Sequence, residues 1–376
     1  MKLLKQTVVT HQEIYVANIT VERGLITEIT RLNLSPNLNQ VLMPGYIDVH
    51  THGGYGFDFN DLKNDRYRPS FKKYLNKIHS EGVTSVMATT VTCPMQDLKN
   101  IAKNIVNIHR YDANNVIVGW NMEGPFISPE KKGAHDEHNI VPVDNALLNL
   151  IKGMRKFNVS VVIAPEYKGN VEKISQIKSY ADVAIGHSLA SADLTMQAIQ
   201  LGANKIIHLY NAMSGFNHHN PGVVNAAFMD KHVLCELICD NVHVNPVVVR
   251  NSFDILTPKR IIIISDSLVC KGLKNGDYML GTLPITKHNQ IATLTNSETI
   301  AGSITGFDVN VRNMYNDVQC SLHDIVQMSS YNAARSFHQE HNLGVIEVGA
   351  KANFVLVNKK MHVLKTYING KIVYQR

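Results

Sequence analysis

Taken as a pattern of hydrophobic and polar positions, the chain alternates short apolar runs with amphipathic segments over most of its length. Eight runs rich in Val, Ile and Leu lie at 41–49, 83–90, 116–122, 159–164, 183–185, 205–209, 234–239 and 261–264. Between them, 71–80, 97–111, 145–157, 171–180, 191–201, 223–231 and 246–256 repeat apolar residues at helical spacing,. Strands alternating with helices predict a parallel sheet, and eight such units predict an α/β fold closed as a (β/α)8 TIM-type barrel. Two further helical segments, 304–315 and 322–336, extend it.

The two ends read differently. Residues 1–40 are short β-like pieces broken by turn signals, and 344–376 alternates hydrophobic and polar positions with turns at Gly349, Asn358 and Asn369-Gly370,. Two β-rich ends flanking a barrel are expected to pair as one small β-sandwich domain, 1–42 with 344–376, leaving 43–343 as the catalytic barrel. A further hairpin pair is expected over 276–296.

Composition narrows the class. The chain has 376 residues, 44% of them hydrophobic, enough to bury a large core,. Its formal charge of +6 comes with no long basic block, so nucleic acid is not an expected partner,. Five cysteines, Cys93, Cys235, Cys239, Cys270 and Cys320, are odd in number and scattered, which fits a reduced compartment rather than a disulfide framework,. The N-terminus shows no signal-like apolar stretch, and no run of about 18 apolar residues is present. A cytoplasmic protein with no membrane partner is the expectation.

Chemistry collects at the carboxyl ends of the runs, where barrel active sites sit. His50 and His52 end the first run, Glu123 the third, and His187 the fifth. His208 belongs to the sixth, His243 follows the seventh, and Asp266 ends the eighth. Singly, each has an ordinary reading: a pair of histidines near a turn, a solvent-facing glutamate, a helix cap. Jointly, an ionisable residue at the same end of six strands is explained at once by a barrel mouth. Two imidazoles one residue apart on a strand point the same way and can hold a divalent ion. Histidine and carboxylate donors without cysteine suit Zn2+ or Fe2+, with Mn2+ or Co2+ as alternatives. Glu123 is placed to bridge two such ions, and Asp266 to move the proton of an attacking water.

These residues, with the motifs PGYIDVHTHGGYG, EGPFISPEKKGAH, GHSLA, IHLYNAM, DNVHV and IISDS, resemble the amidohydrolase superfamily. Within it they are most similar to the N-acetylglucosamine-6-phosphate deacetylases. The resemblance covers nearly the whole chain. It implies an enzyme hydrolysing the acetamide of an N-acetylated amino-sugar phosphate, working as a homodimer. It also implies metal ligands at Glu123, His187 and His208, with a second ion at His50 and His52 where that pair is kept. Asp266 becomes the catalytic acid/base, His135 a group polarising the acetyl carbonyl, and His243 a sugar-phosphate contact. Asn211 and Ala212 become further substrate contacts. One departure bears on substrate. Where the family carries an arginine that reaches the phosphate across the dimer, Phe216–Gly222 reads FNHHNPG. His219 therefore stands where a permanently charged, bidentate group is expected, and His218 and His219 are the phosphate contacts this implies when protonated. Deacetylation of the galactosamine epimer or of an unphosphorylated sugar, or ligand binding without catalysis, are the competing expectations.

Overall fold

The computed structural model describes residues 1–64 and 67–376. The N-terminal segment forms β1 (Lys2–Val9), β2 (Ile14–Glu22), β3 (Leu25–Leu32) and β4 (Gln40–Pro44). β5 (Tyr46–Thr51) then enters the barrel and runs into a two-strand hairpin, β6 (Gly53–Gly54) and β7 (Phe57–Asp58). The remaining barrel strands are β8 (Val83–Thr90), β9 (Ile117–Glu123), β10 (Asn158–Ile163), β11 (Asp182–Ile185), β12 (Ala203–Ile206), β13 (Leu234–Ile238) and β14 (Ile261–Ile264). They pair in parallel in the order β5-β8-β9-β10-β11-β12-β13-β14. The ring closes through backbone bonds beyond the strand ends. Asp266 N–H donates to His50 O, and His52 N–H donates to Ser267 O, both at 2.9 Å.

The strands read as near-continuous apolar runs because both of their faces are covered. Every residue of β5, β8, β13 and β14 is buried, as expected of a parallel sheet wrapped in helices. The helices match the periodic segments, with ends shifted by a few residues: Arg68–Ile78, Met95–Asn107, Asn145–Gly153, Ile174–Lys178, Ala192–Leu201, Val223–Met229 and Pro246–Leu256. Their starts are written in the sequence. Asp144, Ser191 and Asn245 each accept a first-turn N–H on the side chain, satisfying donors a helix cannot satisfy itself. Trp120 is fully buried in β9, yet its Nε1–H reaches Thr90 Oγ1 at 3.0 Å, the partner a buried indole needs.

Three-stranded antiparallel sheet β15 (Gly276–Leu280), β16 (Leu283–His288) and β17 (Ile291–Leu294) fills the expected hairpin region. The chain ends with β18 (Phe354–Asn358), β19 (Val363–Ile368) and β20 (Lys371–Gln375). Both termini contribute to one seven-stranded sheet, ordered β20-β19-β18-β4-β1-β2-β3.

One expectation is corrected. The run 41–49 is not a single strand but two, in different sheets, changing allegiance at Gly45. Gly45 N–H bonds Asn353 O at 2.9 Å on the terminal side, whereas Tyr46 N–H bonds Gly82 O at 3.1 Å on the barrel side. Residues 41–51 are buried throughout, so no polar break marks the switch. Glycine is required there for space, since a Cβ would overlap the Thr84 side chain. Gly45→Ala is therefore expected to cost about 1–3 kcal/mol of stability, read as a lower midpoint in chemical denaturation. An unchanged midpoint would show that the junction has room.

Candidate active site

Glu123, the last residue of β9, is the centre of the barrel mouth. Its Oε1 lies 3.0 Å from His187 Nε2 and 2.9 Å from His208 Nε2. Its Oε2 lies 3.0 Å from His52 Nε2, 3.4 Å from His50 Nε2 and 3.7 Å from His135 Nε2. Asp266 Oδ1 completes the group, 3.1 Å from His52 Nε2 and 3.5 Å from His50 Nε2. All of these side chains are buried.

Three of them follow strand ends with left-handed backbone: His187 at φ 48°, His208 at φ 26° and Asp266 at φ 48°. Such residues cost on the order of 1–3 kcal/mol each and persist where surrounding bonds over-determine them. Here Ser128 N–H holds His187 O at 2.9 Å, Asn211 N–H holds His208 O at 2.9 Å, and Ser303 N–H holds Asp266 O at 2.7 Å.

The donor set fits a divalent metal ion. His50, His52 and Glu123 form one group of converging ligand atoms, and Glu123, His187 and His208 form another. His187 Nδ1–H donates to Lys131 O at 2.7 Å, which leaves a lone pair on its Nε2. That nitrogen faces His208 Nε2 at 3.1 Å, a contact that calls for a proton or a cation between them. Among the described residues, His50 Nε2, Glu123 Oε2 and Asp266 Oδ1 are buried with no well-aligned hydrogen-bond partner. The charges agree. Although burial opposes ionisation, the surrounding histidines hold Glu123 well below the usual carboxylate range and lower Asp266 too. Burial likewise disfavours a charged His52, but Asp266 and Glu123 push it up to about 9. Ionised carboxylates thus draw protons onto the imidazoles beside them, positions that a divalent cation would take instead,.

The cavity over this group, of about 310 Å³, is also lined by His135, Asn211, Ala212 and His243. Asn211 Nδ2 is tied to His208 O at 3.2 Å and Leu209 O at 3.3 Å, and Ala212 O accepts from Ser188 N–H at 3.2 Å. The two cavity histidines differ in protonation. His135 Nδ1 accepts from Thr92 N–H at 3.2 Å, so the neutral ring carries its proton on Nε2. Burial and the neighbouring His187 hold its pKa well below the ordinary value. His243 instead donates from Nδ1 to Asp240 Oδ2 at 2.8 Å and from Nε2 to Ala301 O at 2.9 Å. Burial disfavours its charge, but Asp240 outweighs it and raises the imidazolium to about 9.

His218 and His219 are not brought to this cavity. They lie on an exposed loop, with His219 N–H bonded to Asn217 Oδ1 at 2.8 Å. Sequence reasoning passed over Asp240, Glu236 and Lys205. Glu236 Oε2 is 2.8 Å from His50 Nδ1, and its Oε1 is 2.8 Å from Lys205 Nζ. A single carboxylate inside the apolar run 234–239 was the available signal, because a buried charge requires a partner.

The chain belongs to the amidohydrolase family, whose model matches residues 41–373. N-acetylglucosamine-6-phosphate deacetylase from Bacillus subtilis (strain 168) is 33% identical over 345 residues, covering 89% of this chain and 85% of the relative. N-acetylgalactosamine-6-phosphate deacetylase from Escherichia coli O157:H7 is 32% identical over 336 residues, covering 89% and 88%. Among solved structures, N-acetylglucosamine-6-phosphate deacetylase from Thermotoga maritima superposes with a TM-score of 0.92 at 28% identity, covering 100% of both chains. An aspartate-to-alanine mutant of the Mycobacterium smegmatis enzyme, in complex with N-acetyl-D-glucosamine-6-phosphate, gives 0.91 at 26% identity, covering 100% of this chain and 99% of its own.

The Asp240–His243 pair carries a pH signature. Asp240, lowered to about 2 by His243 against the opposing effect of burial, contributes stability that is lost as pH falls through that value. His243 is raised, so its contribution is complete below the unfolded histidine range and lost as pH rises through about 9,. NMR titration of His243 should show a transition near pH 9 that moves down toward the ordinary value in Asp240→Asn. A wild-type transition already near 6.5 would contradict the pairing.

Proposed function

We propose that this protein is a metal-dependent amide hydrolase that deacetylates N-acetylglucosamine 6-phosphate, giving glucosamine 6-phosphate and acetate. The observation that carries the reading is the convergence of Glu123, His50, His52, His187, His208 and Asp266 beneath one cavity, in a chain of this family. Glu123, His187 and His208 would hold one divalent ion, and His50, His52 and Glu123 a second, with zinc or iron(II) the best matches to the donors and manganese or cobalt alternatives. A bound ion there supplies Lewis acidity and a source of hydroxide near neutral pH.

The chain's own groups divide the remaining work. Asp266, next to His50 and His52, accepts the proton of the attacking water and returns it to the departing amine nitrogen. His135 presents Nε2–H from a neutral ring and donates to the acetyl oxygen as negative charge develops there. His243, held as an imidazolium with both N–H groups on Asp240 and Ala301, lines the same cavity and favours an anionic end of the substrate through its charge. His218 and His219, exposed and outside their own cavity, are consistent with a contact delivered to a second copy in a homodimer.

The direct test is acetate release from N-acetylglucosamine 6-phosphate by purified protein, lost on chelation and regained on metal return. Asp266→Asn should lower kcat by roughly 10²–10⁴-fold without loss of fold by circular dichroism. Full activity in the variant would remove the proposed acid/base. The galactosamine epimer is a second reading, favoured by a relative of that name at nearly the same identity. Comparing kcat/KM for the two epimers and for the unphosphorylated sugar decides between them, and a preference for the galactosamine substrate would overturn the first reading.

A further inference from the structure

Beneath the site lies a pair of charges that the reaction does not use. Lys205 on β12 and Glu236 on β13 are 2% and 0% exposed, and neither lines the cavity. Their ion pair, Nζ to Oε1 at 2.8 Å, leaves Oε2 for His50 Nδ1, also at 2.8 Å. A carboxylate only accepts, so Nδ1 is the donor. In the neutral ring, the form that binds a metal ion, Nε2 is then the lone pair, 3.4 Å from Glu123 Oε2 and 3.5 Å from Asp266 Oδ1. Taking two charges out of water is costly, and a buried ion pair is weak evidence for stability. Its geometry here does something an apolar pair could not: it dictates which nitrogen of His50 faces the mouth.

We propose that Lys205 and Glu236 are positioning residues that fix His50 as an Nε2 ligand and so set the occupancy of the His50–His52–Glu123 half of the metal site. Glu236 accepts the Nδ1 proton. Lys205 neutralises Glu236 and occupies Oε1, which commits Oε2 to His50. The Glu123–His187–His208 half has its own orienting bond, from His187 to Lys131 O, and does not depend on the pair. Partners of this kind typically change metal affinity by about 10–100-fold. The inference rests on the reading that two ions bind.

The relay makes a distinctive prediction for glutamine. In Glu236→Gln, Lys205 claims the amide oxygen, so the NH2 group faces His50 Nδ1. That nitrogen must then accept, which moves the ring proton to Nε2 and closes the ligand position. In Lys205→Met/Glu236→Gln the amide is free to turn its oxygen to His50, and the ligand is restored. Metal-free wild type and both variants are titrated with zinc by calorimetry, with bound metal counted by mass spectrometry. Wild type is expected to bind two ions, and Glu236→Gln one, with second-site affinity down about 10–100-fold. The double variant is expected to regain the second ion.

A purely structural role for the pair would leave the double variant no better than the single. Two ions bound at wild-type affinity by Glu236→Gln, or a double variant still limited to one, overturns the inference alone. One ion in the wild type overturns the two-ion reading and the inference with it. Histidine 15N spectra of the zinc-loaded wild type test the same point without substitution. Nε2 coordination with a proton on Nδ1 of His50 supports the relay, and Nδ1 coordination refutes it.

Discussion

The seam between β5 and β14 is the constraint on which the rest of the structure depends. An eight-stranded parallel ring closes only if its last strand meets its first, and here the meeting is made by residues of the site itself. The same backbone bond that joins Asp266 to His50 sets the carboxylate beside the two histidines. In a strand the side-chain period is two, so a one-residue slip at this seam would send His50 and His52 to the opposite face. Closure and assembly of the candidate site are one event. This is also why His52 and Asp266, both just past their strand ends, are held by backbone bonds as firmly as strand residues.

Charge is the second constraint. Glu123, Asp266 and Glu236 place three carboxylates within the reach of a few imidazoles and one ammonium, in a region with almost no solvent. Isolated, each would be costly to bury. Together with left-handed backbone at His187, His208 and Asp266, they mark the mouth as a place where the fold gives up local stability. The apolar strands beneath offset that loss, since β5, β8, β13 and β14 are buried throughout. Strained backbone and buried carboxylates coincide where a metal ion could replace the protons that now balance the charge.

Legibility in the sequence followed burial. The eight barrel strands stood out as apolar runs, and the polar residues of the mouth stood out because they interrupt those runs at one end. For the same reason Gly45 was silent: with both flanking strands buried, hydropathy does not change where the chain passes from one sheet to another. His208 was read as part of a strand, whereas the strand stops at Ile206 and the histidine sits on the turn that aims it at Glu123. Glu236 and Lys205 were written as single charges in apolar surroundings, visible as anomalies. Their partner, His50, lies 186 residues from Glu236, a distance that periodicity cannot bridge. The exposed loop with His218 and His219 carried a motif but no burial, so its position relative to the cavity came only with the fold.

His135 and His243 show how one residue type takes two protonation states within one cavity. Both are largely withdrawn from water, which disfavours charge in each case. What separates them is the hydrogen bond on the inner nitrogen. Thr92 offers His135 a donor, which fixes a neutral ring with its N–H facing Glu123. Asp240 and Ala301 offer His243 only acceptors, which requires two protons and a positive charge. A substrate entering this cavity meets a neutral donor beside Glu123 and a cation beside Ala301. An amide with a neutral acyl oxygen at one end and anionic or hydroxyl oxygens at the other satisfies both. The two ends of the cavity therefore differ in what they offer a ligand, before any contact with an exposed loop is made.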